Sequence, residues 1–186
     1  MTGLHALWLP MVLSSVAIFF ASAVIHMFSG LHKNDHLTPP NQDGLADALR
    51  PFNLAPGDYM IPRPASMKDM GSPEFKAKSE RGPKLVFTVF PNGITPMGPL
   101  LAKWFVYSLV ISLCSGYVAS RALPVGADYL HVFRFAGIAA FLGYAGAIPQ
   151  ASIWYGKSWG TTMRSTIDGL IYAGLTAGMY GWLWPR

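Results

Sequence analysis

Apolar residues in this chain are massed in long runs rather than alternated. Four such runs, at about 7–28, 97–119, 129–148 and 162–184, are separated by polar and charged segments. A helix rising 1.5 Å per residue needs ~20 mostly apolar residues to cross a hydrocarbon core roughly 30 Å thick, and each run is long enough. The pattern predicts an all-α membrane protein, a four-transmembrane-helix bundle in which 1–186 form a single membrane domain. Aromatic rings mark the run ends, with Trp104, Tyr107, Trp154, Tyr155 and Trp159 at one boundary and Trp8, Tyr117, Tyr129, Tyr180, Trp182 and Trp184 at the other. Such amphipathic rings settle at the headgroup level.

Segment 29–96, between the first two runs, reads as a partly ordered polar loop or cap. Residues 43–49 carry apolar positions at helical spacing and predict a short helix that Pro51 ends. Residues 53–64 are too rich in proline for a helix and predict turn plus extended chain. The run Leu85-Val-Phe-Thr-Val-Phe90, followed by Pro91-Asn92-Gly93, predicts a short strand. Between them, 66–84 is polar and charged enough to be expected mobile.

Composition agrees with lipid as the solvent. The 186 residues are 52% hydrophobic and only 12% charged, against ~25% charged in an average soluble domain. The net charge of +5 does not point to nucleic acid, because the basic residues of 29–96 are interleaved with Asp and Glu and form no phosphate-tracking stripe. Cys114 is the single cysteine, which excludes an internal disulfide and any Cys/His zinc spacing. Lys33, Lys103, Lys157 and Arg164 against Arg121, Arg134 and Arg186 favour a cytoplasmic 29–96 and outward termini by the positive-inside rule. The first run lacks a basic leader and a clear A-x-A site, so a retained anchor is expected rather than a signal peptide.

Small residues recur at four-residue spacing: Ala136, Ala140 and Gly143 in the third run, and Ala173, Gly174, Ala177, Gly178 and Gly181 in the fourth. Such faces let helix backbones approach closely in lipid. They are expected to pack within the bundle, with a homo-oligomer face as the alternative. Pro149 is expected to end the third run.

Ionisable groups within spans are costly, roughly 2.5–3.5 kcal/mol at a helix centre. Arg164 and Asp168 stand four apart, and an intrahelical ion pair is expected, with an ion site as the functional alternative. His26, His32, Asp35 and His36 form a second candidate. If 32–36 were helical, His32 and His36 would share a face and could ligate a divalent metal, although Gly30 and the prolines beyond argue against that helix. His5 and His131 are the one cross-helix pair at a common depth that two axial haem ligands would require. No Walker loop, nucleophile elbow or HExxH occurs. No cofactor is expected, with haem or a divalent metal as alternatives.

The segments Pro56-Gly-Asp-Tyr-Met-Ile-Pro62, Phe87-Thr-Val-Phe-Pro-Asn-Gly93, Ile167-Asp-Gly-Leu-Ile-Tyr172 and Gly181-Trp-Leu-Trp-Pro185 resemble those of a family of small bacterial four-span membrane proteins with no assigned activity. The resemblance implies a multi-pass protein of the bacterial inner membrane and no catalytic residue. The function expected is a non-enzymatic accessory or structural subunit of a membrane complex, with the lipid bilayer and other subunits as partners. A small ion, proton or solute transporter, or a histidine-ligated metal or haem protein, is the alternative. Four spans require both termini on one face. In a Cys114→Ser background, a membrane-impermeant thiol reagent should therefore reach Thr2→Cys and Arg186→Cys from the same side, and labelling from opposite sides would refute the scheme.

Overall fold

The structure, a computed structural model, describes residues 2–186. In chain order its main elements are helix α1 (Trp8–Phe28), α2 (Gln42–Leu49), strand β1 (Gly57–Ile61), α3 (Pro73–Arg81), β2 (Leu85–Val89), α4 (Met97–Ala122), α5 (Tyr129–Ala145), α6 (Pro149–Tyr155) and α7 (Trp159–Trp182). They divide into two compact units: the chain up to Leu37 together with Pro96–Arg186, and Thr38–Thr95.

Among the described residues, three helical stretches are long and apolar enough to cross a membrane: Leu4–Phe28, Met97–Ala122 and Tyr129–Tyr155. The third stretch joins α5, which stops at Ala145, to the short α6 that Pro149 opens. Proline occupies the first turn of the new helix, where its missing N–H leaves no bond unmade. The fourth expected run is α7, whose 24 residues give sufficient length. Its first half carries Thr161, Thr162, Arg164, Ser165, Thr166 and Asp168, too polar to rank with the other three.

Within the first unit, α1 and α5 each pack against both α4 and α7. The interior is small and polar. Ser14, Ser15, Ser108, Ser112, Ser115 and Thr176 are fully enclosed, whereas Phe20, Met27, Val106, Ile138 and Leu170 face outward. Apolar side chains gain nothing by leaving lipid for one another, so helix interfaces favour residues that permit close approach and hydroxyls that can bond. The buried serines mostly return their proton to a carbonyl one turn back, as Ser108 does to Trp104 and Ser115 to Ile111. Some bonds also cross between helices: Ser14 meets the Ser112 hydroxyl at 2.8 Å, and the Tyr180 hydroxyl donates to the Ser112 carbonyl at 2.7 Å.

The small-residue faces divide unequally. Ala173 and Ala177 are buried, and a Cβ at Gly143 or Gly181 would strike Ile111 or Tyr129 at 2.7 Å. A Cβ at Gly178 would reach only the Tyr129 hydroxyl at 3.8 Å, and one at Gly174 would meet nothing within 4 Å. The closest approach of this kind lies elsewhere, at Gly116, where a Cβ would stand 2.6 Å from the Tyr180 oxygen. At the same end of these helices the chain termini are fastened to the α4–α5 turn. Thr2 donates to the Leu123 carbonyl, the Trp184 indole to Pro124, and the Gly126 amide to Pro185.

The second unit is more ordered than its polarity suggests. β1 and β2 pair antiparallel, with Tyr59 opposite Phe87 and their rings stacked at 5.5 Å. Segment 66–84 is not a featureless mobile stretch, because α3 forms inside it on local signals alone. Ser72 caps the Phe75 amide, Pro73 opens the first turn, Glu74 and Lys78 pair one turn apart, and Gly82 (φ +61°) takes the left-handed conformation that stops the helix. No residue of this unit is buried.

Gly116→Ala should lower the thermal unfolding temperature in detergent, since the Tyr180 oxygen it would displace is enclosed and hydrogen-bonded. Overpacking of this kind costs about 1–3 kcal/mol. Gly174→Ala, facing open space, should leave the temperature unchanged or raise it slightly.

Candidate functional site

The buried carboxylate of this unit is Asp168, on α7, and the residues around it come from distant parts of the chain. α1 ends with His26 in its last turn. Gly30 (φ +66°) then turns the chain sharply, with the Lys33 amide bonded to the Gly30 carbonyl and the Asp35 amide to that of His32. Glycine takes this left-handed conformation without penalty. The reversal lays the His32 ring flat against His26, with ring centres 4.5 Å apart and planes 3° from parallel.

Both imidazoles are oriented from behind. His26 Nδ1 lies 2.9 Å from the Ser22 carbonyl, and His32 Nδ1 lies 2.7 Å from Asp35 Oδ2. Carbonyl and carboxylate oxygens only accept, so each Nδ1 must carry the proton. Each Nε2 is thereby left to face Asp168, whose Oδ2 stands 2.9 Å from His32 Nε2 and 3.9 Å from His26 Nε2. The shorter approach lacks the direction of a hydrogen bond, and His32 Nε2 and Asp168 Oδ1 are both buried without a hydrogen-bonding partner. Asp168 and His32 are enclosed, with side chains 8% and 14% exposed, while His26 is half-exposed.

Arg164 does not pair with Asp168, contrary to the expectation from their spacing. Helical side chains lean toward the N-terminal end of their helix, and Arg164 accordingly reaches back past Thr161 instead of forward along α7. Its guanidinium closes on Asp35, with Nε at 2.7 Å and Nη2 at 2.6 Å from Oδ1. Burial alone would raise the Asp35 pKa, but hydrogen bonds and charge from His32 and Arg164 outweigh it and hold the group below its ordinary 3.8. Asp35 is therefore a carboxylate that orients His32 and is itself neutralised by Arg164.

The four residues expected to hold a metal are brought together only in part. His26 and His32 meet, but their third partner is Asp168. Asp35 stands behind His32, and His36 is exposed with no helix to place it on the His32 face. The haem pair fares differently again. His5 is exposed in the turn before α1, with its ring over Gly3, and His131 is bonded to Asp128 at the start of α5.

Ser22, and Trp104 beyond its expected place at a helix boundary, also belong to the surroundings of the site. The Trp104 indole donates to the Ser22 hydroxyl at 2.9 Å, joining α4 to the turn of α1 that holds His26. Indole and serine carry no local signature of such a role, since they stand far apart in the chain. No family model matches the sequence, and neither a curated protein nor a solved structure is similar to it.

Because Asp35 has a lowered pKa, the stability it contributes is fully present above about pH 4 and is lost as pH falls through its folded value. Unfolding followed by circular dichroism should show this loss in the wild-type protein. Asp35→Asn should start from a lower midpoint at pH 7 and respond less over the same acid range.

Proposed function

We propose that this chain is an integral membrane protein that binds one divalent transition-metal ion, of the zinc type, through His26 Nε2, His32 Nε2 and the Asp168 carboxylate. The observation that carries the reading is the convergence of two Nε2 atoms, each fixed by an acceptor at Nδ1, on one carboxylate oxygen. Bonds of about 2.0–2.1 Å in a tetrahedral zinc site place ligand atoms roughly 3.4 Å apart. The observed separations of 2.9 and 3.9 Å straddle that value, and all three ligand atoms lie within 4.8 Å of one another.

The charge balance supports the same reading. Two stacked imidazoles would repel if both were protonated, and one carboxylate cannot neutralise both. A divalent cation among two neutral imidazoles and a carboxylate removes the conflict. The Ser22 carbonyl and Asp35 then fill the supporting role that backbone carbonyls and carboxylates play behind metal-bound histidines.

α7 is read as the fourth span, and the residence as the bacterial inner membrane with both termini outside. Its approach to α1 and α5 supports the span, because a helix packed along two apolar helices shares their depth. An accessory role in a membrane complex is a second reading. It is favoured by Thr38–Thr95, which exposes Phe52, Phe90 and Ile94 without burying a single side chain. Such a subunit should co-purify with a partner in mild detergent.

Purified protein dialysed against limiting Zn²⁺ should retain one ion per chain by elemental analysis. His32→Ala or Asp168→Ala should weaken binding by 100-fold or more, and Asp35→Asn by about 10–100-fold through loss of support. His36→Ala should bind as the wild type does. Undiminished binding by His32→Ala and Asp168→Ala would overturn the reading.

A further inference from the structure

Behind the histidine cluster, toward the interior of the helices, lies a second group of polar atoms that the metal reading does not use. Asp168 turns Oδ2 to the imidazoles, and its other oxygen, Oδ1, has no hydrogen-bonding partner. One helical turn further along the same face of α7 is Tyr172, and the Tyr172 hydroxyl is also buried without a partner. From α5, Tyr144 brings a third such hydroxyl, with its ring 5.4 Å from that of Tyr172. All three side chains are more than nine-tenths buried, at 5%, 3% and 8% exposure. Trp104 packs against both tyrosines and walls the group on the α4 side.

Buried polar groups are almost always hydrogen-bonded, to protein or to ordered water. Apart from His32 Nε2 in the adjoining cluster, the other buried side-chain polar atoms described in this unit obey that rule through protein partners, as Tyr180 does at Ser112. Three buried polar atoms on neighbouring side chains, none with a hydrogen bond of good geometry and two of them hydroxyls that both donate and accept, form a suitable set for water. Three protein ligands with a water completing the shell is, moreover, the arrangement of exchangeable rather than closed zinc sites.

We propose that Asp168 Oδ1, Tyr172 and Tyr144 hold bound water behind the His26–His32–Asp168 cluster, giving the metal an exchangeable position that a small anion can enter. The second half of this statement rests on the metal reading; the first does not. On that basis the centre is an open Lewis-acid site for water or small anionic ligands, and not a structural clamp.

Two measurements separate the parts. In X-ray hydroxyl-radical footprinting of the metal-free protein, side chains touching bound water are oxidised quickly even when buried. Tyr144 and Tyr172, 8% and 3% exposed, should be modified at least several-fold faster than Tyr180, which is fully enclosed and bonded to Ser112. Rates equal to that of Tyr180 would overturn the water site whether or not metal binds. In protein loaded with Co²⁺, azide should shift the visible d–d bands. An unchanged spectrum at saturating azide would overturn the exchangeable position, whereas failure to bind Co²⁺ or Zn²⁺ at all would overturn the metal reading and leave the footprinting result to decide the water site.

Discussion

Helices that expose their large apolar side chains cannot be held together by hiding them, so contact in the first unit depends on how closely the backbones approach. Ala136, Ala140 and Ala177 are completely enclosed, and Gly116 leaves room for the Tyr180 ring. Close approach also brings serine hydroxyls within range of one another, as at Ser14 and Ser112. In hydrocarbon such bonds have no water competing for them, although measured values for interhelical bonds remain near 1 kcal/mol. Packing of this kind fixes helix ends relative to one another. That positional precision is what allows Asp168, on the last long helix, to meet residues in the last turn of the first and just beyond it.

The cluster at that end is organised as two layers of charge. Asp35 and Arg164 cancel each other, and their pairing holds the turn after α1 against α7. Asp168 is thereby left to face the imidazoles without a competing guanidinium. Had Arg164 reached forward to Asp168, the carboxylate would have been neutralised and the two histidines would have lacked a common partner. The direction in which a helical side chain leans therefore decides the chemistry available at this site.

Thr38–Thr95 follows a different logic. Its helices are begun and ended by local devices, Asn41 capping α2 and Ser72 capping α3, and its two strands satisfy each other's backbone groups. None of this requires a buried core, and none is present. Its apolar side chains, Phe52 and Phe90 among them, remain on the surface of a unit joined at both ends to apolar helices.

Run length and short-range periodicity were legible in the sequence because they depend on neighbours along the chain. The span starting at Met97, helix α2 and strand β2 all appear close to where patterning places them. The signals for α3 were present too, in Ser72, Pro73, Glu74, Lys78 and Gly82, but overall polarity masked them. His26, His32, Asp35, Arg164 and Asp168 could each be recognised as costly or reactive. Their partners could not, because Arg164 and Asp35 stand 129 positions apart and the i,i+4 rule offered Asp168 as a nearer alternative. Similarly, nothing in the sequence singled out Tyr144 and Tyr172, whose hydroxyls are enclosed only by helix packing. The sequence by itself determined the long apolar helices and which ionisable side chains interrupt or flank them, since both follow from local composition. Only the tertiary structure decided which of those side chains meet, because that depends on backbone approach and side-chain direction between helices remote in the chain.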